Sequence, residues 1–373
     1  MTHPLNPPFR ADQVGSLLRP PELIKAREAF EAGNLPHEDL RALEDKAIRD
    51  VIALQQRIGL KSITDGEFRR RSFWKDFLQS FTGVGIEYEA GTGLQFTDAS
   101  GHKLNAPSAR VTGKISWVGP GATDEFAFLK KSTKYTPKIT IPSPVMLHYY
   151  GGRENISADV YPDLEEFWSD LVSGYRNELK ALHKLGCRFV QIDETSTAKL
   201  CDPAIRERLK SRGDDPDKLV LEYARVVNAI LADKPADMTV GLHLCRGNQK
   251  GHWQASGGYD FVADTLFNEV RADCYFLEYD TPRAGSFTPL SKLPDGKVAV
   301  LGLISTKTPR LEDRAQLLRR LDDASRVVPL DRICISPQCG FASGMYGNPI
   351  TVEDQTRKLE LLVSVADEVW GGK

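Results

Sequence analysis

The stretch GLHLCRGN sets a histidine and a cysteine two residues apart, His243 and Cys245. Imidazole nitrogen and thiolate sulfur are common donors to a borderline-soft cation such as zinc. The apolar lead-in MTVGL reads as a strand, and side chains at i and i+2 of a strand point to the same side. Two further donors stand at comparable places downstream. Glu278 lies in CYFLEYD, one residue before its polar exit, and Cys339 ends ICISPQC just before Gly340. One imidazole, two thiolates and one carboxylate make a tetrahedral zinc set. Because the donors come from three separate strands, the pattern suits a catalytic ion better than a structural one, whose ligands cluster locally. The other cysteines have no such placement. Cys274 lies deeper in its strand, Cys334 sits mid-segment, Cys187 precedes a strand and Cys201 falls in a loop. A competing reading stays open at this level: a satisfied core histidine beside a buried thiol, since free cysteines are mostly small hydrophobes in the core.

The elements that must position these residues follow a repeating order. Leu164 to Gly186 has helical periodicity and stops at glycine, and CRFVQIDE then reads as a strand. The helix DKLVLEYARVVNAILA is followed by the strand MTVGLHLC, and the helix YDFVADTLFNE by the strand CYFLEYD. KVAVLGLIST, the helix RLEDRAQLLRRLDDASRVV, the strand ICISP and a closing helix from TVEDQ complete the series. Upstream, ADQVGS, KSITDGEF and KITIPSP supply strands around the helix DLRALEDKAIRDVIALQQRIG. The expectation is an α/β fold, a (β/α)8 TIM barrel of about eight parallel strands with its chemistry at the strand ends. It forms a single domain over residues 1–373, with a β-hairpin excursion over about 85–135.

The bounds agree. A chain of 373 residues with 41% hydrophobic content buries a large core. A net charge of −2, with no basic stripe, argues against nucleic acid as a partner, and no apolar run approaches a membrane span. MTHPLNPPFRADQ lacks a signal-peptide pattern, so a cytoplasmic location is expected. The oligomeric state is left open, with a homodimer the default for barrels of this size.

VGSLLRP, TDGEFRR, QIDE, HLCRGN, FLEYD and SPQCG run in order from Val14 to Gly340. This series resembles the C-terminal catalytic barrel of cobalamin-independent methionine synthase. It is similar above all to short stand-alone members of that superfamily, which include epoxyalkane:coenzyme M transferase. The resemblance implies Zn(2+) as cofactor, held by His243, Cys245, Glu278 and Cys339. It implies a small thiol substrate, homocysteine or a relative, alkylated by a methyl or alkyl donor. Glu67 and Asp193 match positions that hold the amino group of homocysteine. Val14, Gly15 and Ser16 match the segment that takes its carboxylate. Zinc would deprotonate the thiol, because only the thiolate attacks carbon.

Departures fall on the donor side. Lys307 stands where the family has a proton-donating histidine, and Tyr149 or Tyr150 where the synthases have a folate-stacking tryptophan. GFASGMYG after Cys339 lacks the basic residues expected for folate work. The implied donor is something other than polyglutamyl methylfolate, or is bound differently. Alternatives on the same metal are an epoxyalkane:thiol transferase and a C–S lyase, and the non-enzymatic alternative is a structural zinc. A sulfonate thiol would call for positive charge, which Arg19, Arg69, Arg70 and Arg71 could supply, although a solvated surface is the plainer reading of those arginines.

Overall fold

A computed structural model describes residues 7–87, 94–106 and 108–371. The strands, in chain order, are β1 (Ser62–Ile63), β2 (Val84–Glu87), β3 (Gln95–Thr97), β4 (Lys103–Asn105), β5 (Ser108–Val111) and β6 (Thr136–Pro137). They continue with β7 (Ile139–Pro142), β8 (Phe189–Asp193), β9 (Thr239–Leu244), β10 (Cys274–Glu278), β11 (Val298–Ile304) and β12 (Ile333–Pro337). Strands β7 to β12 form one parallel sheet in sequence order. β1 pairs in parallel with β6, and Lys138 N, just before β7, donates to Ile63 O at 2.9 Å. Ala11 bridges in parallel to Ile335 of β12, with Asp12 N donating to Ile335 O at 3.0 Å. Thr64 Oγ1 donates to Gly15 O at 2.7 Å and joins the first segment to β1. The ring of eight parallel segments is thereby closed as a (β/α)8 barrel.

The first two barrel strands are shorter than ADQVGS and KSITDGEF suggest. A side-chain amide takes the place of ladder partners there. Gln55 Oε1 accepts from Thr64 N at 3.0 Å, and its Nε2 donates to Thr64 O at 2.8 Å. Inside the barrel, Val14, Phe189, Cys274, Phe276, Val300 and Cys334 pack together, so Cys274 and Cys334 are core thiols.

The long helices form where periodicity and caps agree. Leu164–Lys184, Pro216–Leu231 and Arg314–Ser325 begin at Asp163, Asp215 and Asp313, each accepting a first-turn N–H. Val352–Trp370 opens with a capping box of Thr351 and Asp354. YDFVADTLFNE departs from expectation. It is a 3-10 turn, Tyr259–Phe261, followed by a π turn, Thr265–Glu269. The reason is tertiary. Tyr259 Oη donates to Leu244 O at 2.7 Å and accepts from Glu278 N at 2.8 Å. The ring is thus pinned between the ends of β9 and β10, where a regular helix could not place it.

The excursion holds two antiparallel pairs, β2 with β5 and β3 with β4. Its last part is not hairpin: Thr123–Ser132 is a helix that buries Phe126 and Leu129. No helix among the described residues is long and apolar enough to cross a membrane.

Candidate metal centre

Strand β9 ends by placing His243 and Cys245 on the barrel's inner side. Two residues past β12, Cys339 meets them. The donor atoms of these three buried side chains all lie within 4.8 Å of one another, and Cys339 Sγ stands 3.8 Å from Cys245 Sγ. Gly340 makes the approach possible, because a Cβ there would collide with Ser16 Oγ. Both ring nitrogens of His243 are buried without a hydrogen-bond partner. Such orphaned donors are costly unless something fills the gap. One nitrogen and two sulfurs facing one point suit zinc, and three protein ligands leave a position for substrate. Between the two sulfurs, Cys339 donates its S–H to Cys245. The Cys245 thiol is held well below its ordinary range by the S–H of Cys339, with the His243 charge helping against burial, while Cys339 is pushed up. Burial would lower His243, yet the negative groups around it, Cys245, Asp193 and Glu278, raise it.

Glu278 lies outside the trio. Its carboxylate accepts from Arg246 N at 2.7 Å, pairs with Arg283 and stands 3.7 Å from Lys307 Nζ. Burial favours its neutral form, but Lys307, Arg283 and Arg246 together hold it down at about 2. Lys307 faces Glu278 and borders no part of the pocket described next.

Above the trio is a pocket walled by Val14, Ser16, Glu67, Asp193, Phe73, Phe96, Tyr150, Lys199 and Asn248. Glu67 sits at φ 60, a strained left-handed position for a side chain. Its Oε1 accepts from Thr140 Oγ1 at 2.8 Å, and its Oε2 is buried without a partner. Asp193 Oδ1 accepts from Gln191 Nε2 at 2.7 Å. Gly15 turns the chain behind this wall at φ 138 and does not line it. Of the two tyrosines, Tyr150 faces the pocket. Tyr149 is buried behind it, donating to Gln254 at 3.2 Å.

An outer cleft continues from the pocket past Phe73, Phe96 and Tyr150. Trp74 and Tyr150 stack there, centroids 5.8 Å apart and 15° from parallel. Arg71, Lys75 and Lys250 line this cleft, and among the described residues no carboxylate does. These basic residues come from segments other than the one after Cys339. The surface reading of the arginines is corrected for three of them. Arg19 is buried and donates to the carbonyls of Leu17, Glu67 and Ala342. Arg70 binds Glu125 and Thr140, and Arg69 binds Asp45 against the Phe128 ring. Arg71 alone of the four reaches the cleft, beside Glu31 at 3.3 Å.

Sequence reasoning missed Trp74, Phe96, Lys199 and Asn248. Lys199 was findable, because it lies one turn past Thr195 on the short helix Thr195–Lys199 that leaves the end of β8. Phe96 was not, since it reaches the pocket from the excursion.

The model of the cobalamin-independent synthase catalytic domain matches residues 9–368. The chain belongs to that family. It is 41% identical to the uncharacterized protein YxjH of Bacillus subtilis over 97% of this chain and 95% of that one. It is 26% identical to the methionine synthase of Pyrococcus furiosus, over 88% of this chain and 85% of the relative. The 5-methyltetrahydropteroyltriglutamate–homocysteine methyltransferase of Bacillus velezensis is matched over 39% of its length at 23% identity. Among solved structures, a putative vitamin-B12 independent methionine synthase of Listeria monocytogenes superposes with a TM-score of 0.76 at 35% identity, covering 98% of both chains. A B12-independent methionine synthase of Shewanella, at 19% identity and a TM-score of 0.72, shares the fold.

Proposed function

We propose that this chain is a zinc-dependent thiol methyl- or alkyltransferase of the cytoplasm, with homocysteine or a close relative as acceptor. The observation that carries this reading is the His243–Cys245–Cys339 trio at the floor of a pocket walled by Glu67 and Asp193. Bound there, zinc would supply a thiolate at neutral pH. The chain's own residues do the rest. Glu67 and Asp193 present carboxylate oxygens to the acceptor's ammonium. The Ser16 hydroxyl takes its carboxylate, with the backbone at Val14 and Gly15 shaping that end. Phe73 and Phe96 keep water from the sulfur. Glu278, held ionised by Arg283 and Lys307, adds negative charge beside the trio without leaving its own ion pairs. The donor enters through the outer cleft, where Arg71, Lys75 and Lys250 favour one that carries negative charge.

The test is a thiol titration of the zinc-loaded protein. Homocysteine should add a sulfur neighbour to the zinc X-ray absorption signal, and Asp193→Asn should weaken that response. A signal unmoved by any small thiol would refute thiol activation.

A further inference from the structure

Lys199 is a charged wall of the pocket that thiol binding does not use. It is 1% exposed and makes no ion pair among the described residues. Its Nζ donates to Tyr150 Oη at 2.9 Å and lies 3.5 Å from Thr195 Oγ1. The rings of Tyr150, Tyr149 and Phe96 stand 4.8, 5.0 and 5.9 Å from the ammonium and offset part of its lost hydration. An ammonium has protons to give and no lone pair, so in this bond the phenol oxygen is the acceptor. The proton of Tyr150 is therefore turned away from Lys199. Tyr150 borders both the inner pocket and the outer cleft. On the thiol-transfer reading, that junction is where sulfur and donor meet. Tyr149 has already committed its hydroxyl to Gln254, and Lys307 is turned to Glu278.

We propose that Tyr150, backed by Lys199, is the acid that protonates the departing atom of the alkyl donor. This rests on the thiol-transfer reading above. The acceptor thiol loses its proton to solvent on binding. Its sulfur lone pair forms the S–C bond, and the carbon's bond to the departing atom breaks with both electrons going to that atom. The departing atom takes the Tyr150 proton, the phenolate takes one from Lys199, and the lysine amine regains its own from water as products leave. The sum is R–SH + R′–X → R–S–R′ + HX.

Two small electrophiles separate this role from packing. Methyl 4-nitrobenzenesulfonate expels an anion that needs no proton, whereas 1,2-epoxypropane opens to an alkoxide that does. Each is reacted with homocysteine on the zinc-loaded full chain. In Tyr150→Phe, which keeps the ring on Trp74, the ratio of epoxide to sulfonate rate should fall about 30-fold or more, toward the ~10²–10⁴ typical of a lost general acid. Lys199→Met should move the ratio the same way by less. Zinc content and near-ultraviolet circular dichroism report whether each variant is folded. If Lys199→Met misfolds, Tyr150→Phe decides alone. An unchanged ratio, whether both rates hold or both fall together, overturns the proposal. If the unsubstituted protein accelerates neither probe, the thiol-transfer reading fails and takes this one with it.

Discussion

Burial pushes the Asp193 carboxyl up to about 7, with Glu67 adding to the rise and His243 opposing it. The sign for binding follows directly. Above that value the group is a carboxylate and attracts an ammonium; below it the group is neutral and does not. Acceptor affinity should therefore fall as pH drops through about 7. Calorimetric titration of homocysteine across that range should lose its inflection in Asp193→Asn. Affinity above the inflection should drop about tenfold or more, as the ~1.5–3 kcal/mol of a hydrogen bond to a charged group implies. At the metal, Cys339→Ser or His243→Ala should bring zinc far below one ion per chain after dialysis, with helical content kept. Elemental analysis beside far-ultraviolet circular dichroism checks this, and full occupancy in either variant would remove the ligand assignment.

The Tyr259 hydroxyl stands in for a ladder bond where β9 and β10 part. Tyr259→Phe leaves the Glu278 N–H without its partner in a dry setting, which costs about 1–3 kcal/mol. A lowered denaturant midpoint should record it. Such a tertiary pin also explains what could be read from the sequence. Parity along MTVGLHLC and CYFLEYD placed His243, Cys245 and Glu278 on the inner face, because strand alternation is a local rule. The helix expected at YDFVADTLFNE failed because its first ring answers to two strands, a demand no periodicity carries. Glu278 is the same lesson at the site. Its position on the strand was legible, but its capture by Arg283 and Lys307 depends on loops that meet only in three dimensions. The series of about eight strands was plain, whereas the shortness of β1 depended on the amide of Gln55.

Across the whole molecule, a chain of net charge −2 lines its outer cleft with Arg71, Lys75 and Lys250. Burial, with Arg71 nearby, brings the Lys75 ammonium down to about 8. An anionic donor should bind more weakly as pH rises past that point and as salt screens the cleft. Lys75→Glu together with Lys250→Glu should raise donor KM several-fold while acceptor binding holds, as steady-state kinetics would read. Chelating the metal should abolish thiol alkylation and leave secondary structure in place, since the trio sits on strands tied by their own ladders. The two sulfurs are 94 residues apart in the chain. Cys339 follows β12, the strand that closes the ring on the first segment through Ala11 and Ile335. The three donors therefore meet only in the closed barrel. If that trio holds zinc as proposed, metal capture is the final stamp on a finished barrel, and the ratio of zinc to polypeptide in a preparation should count its correctly closed molecules.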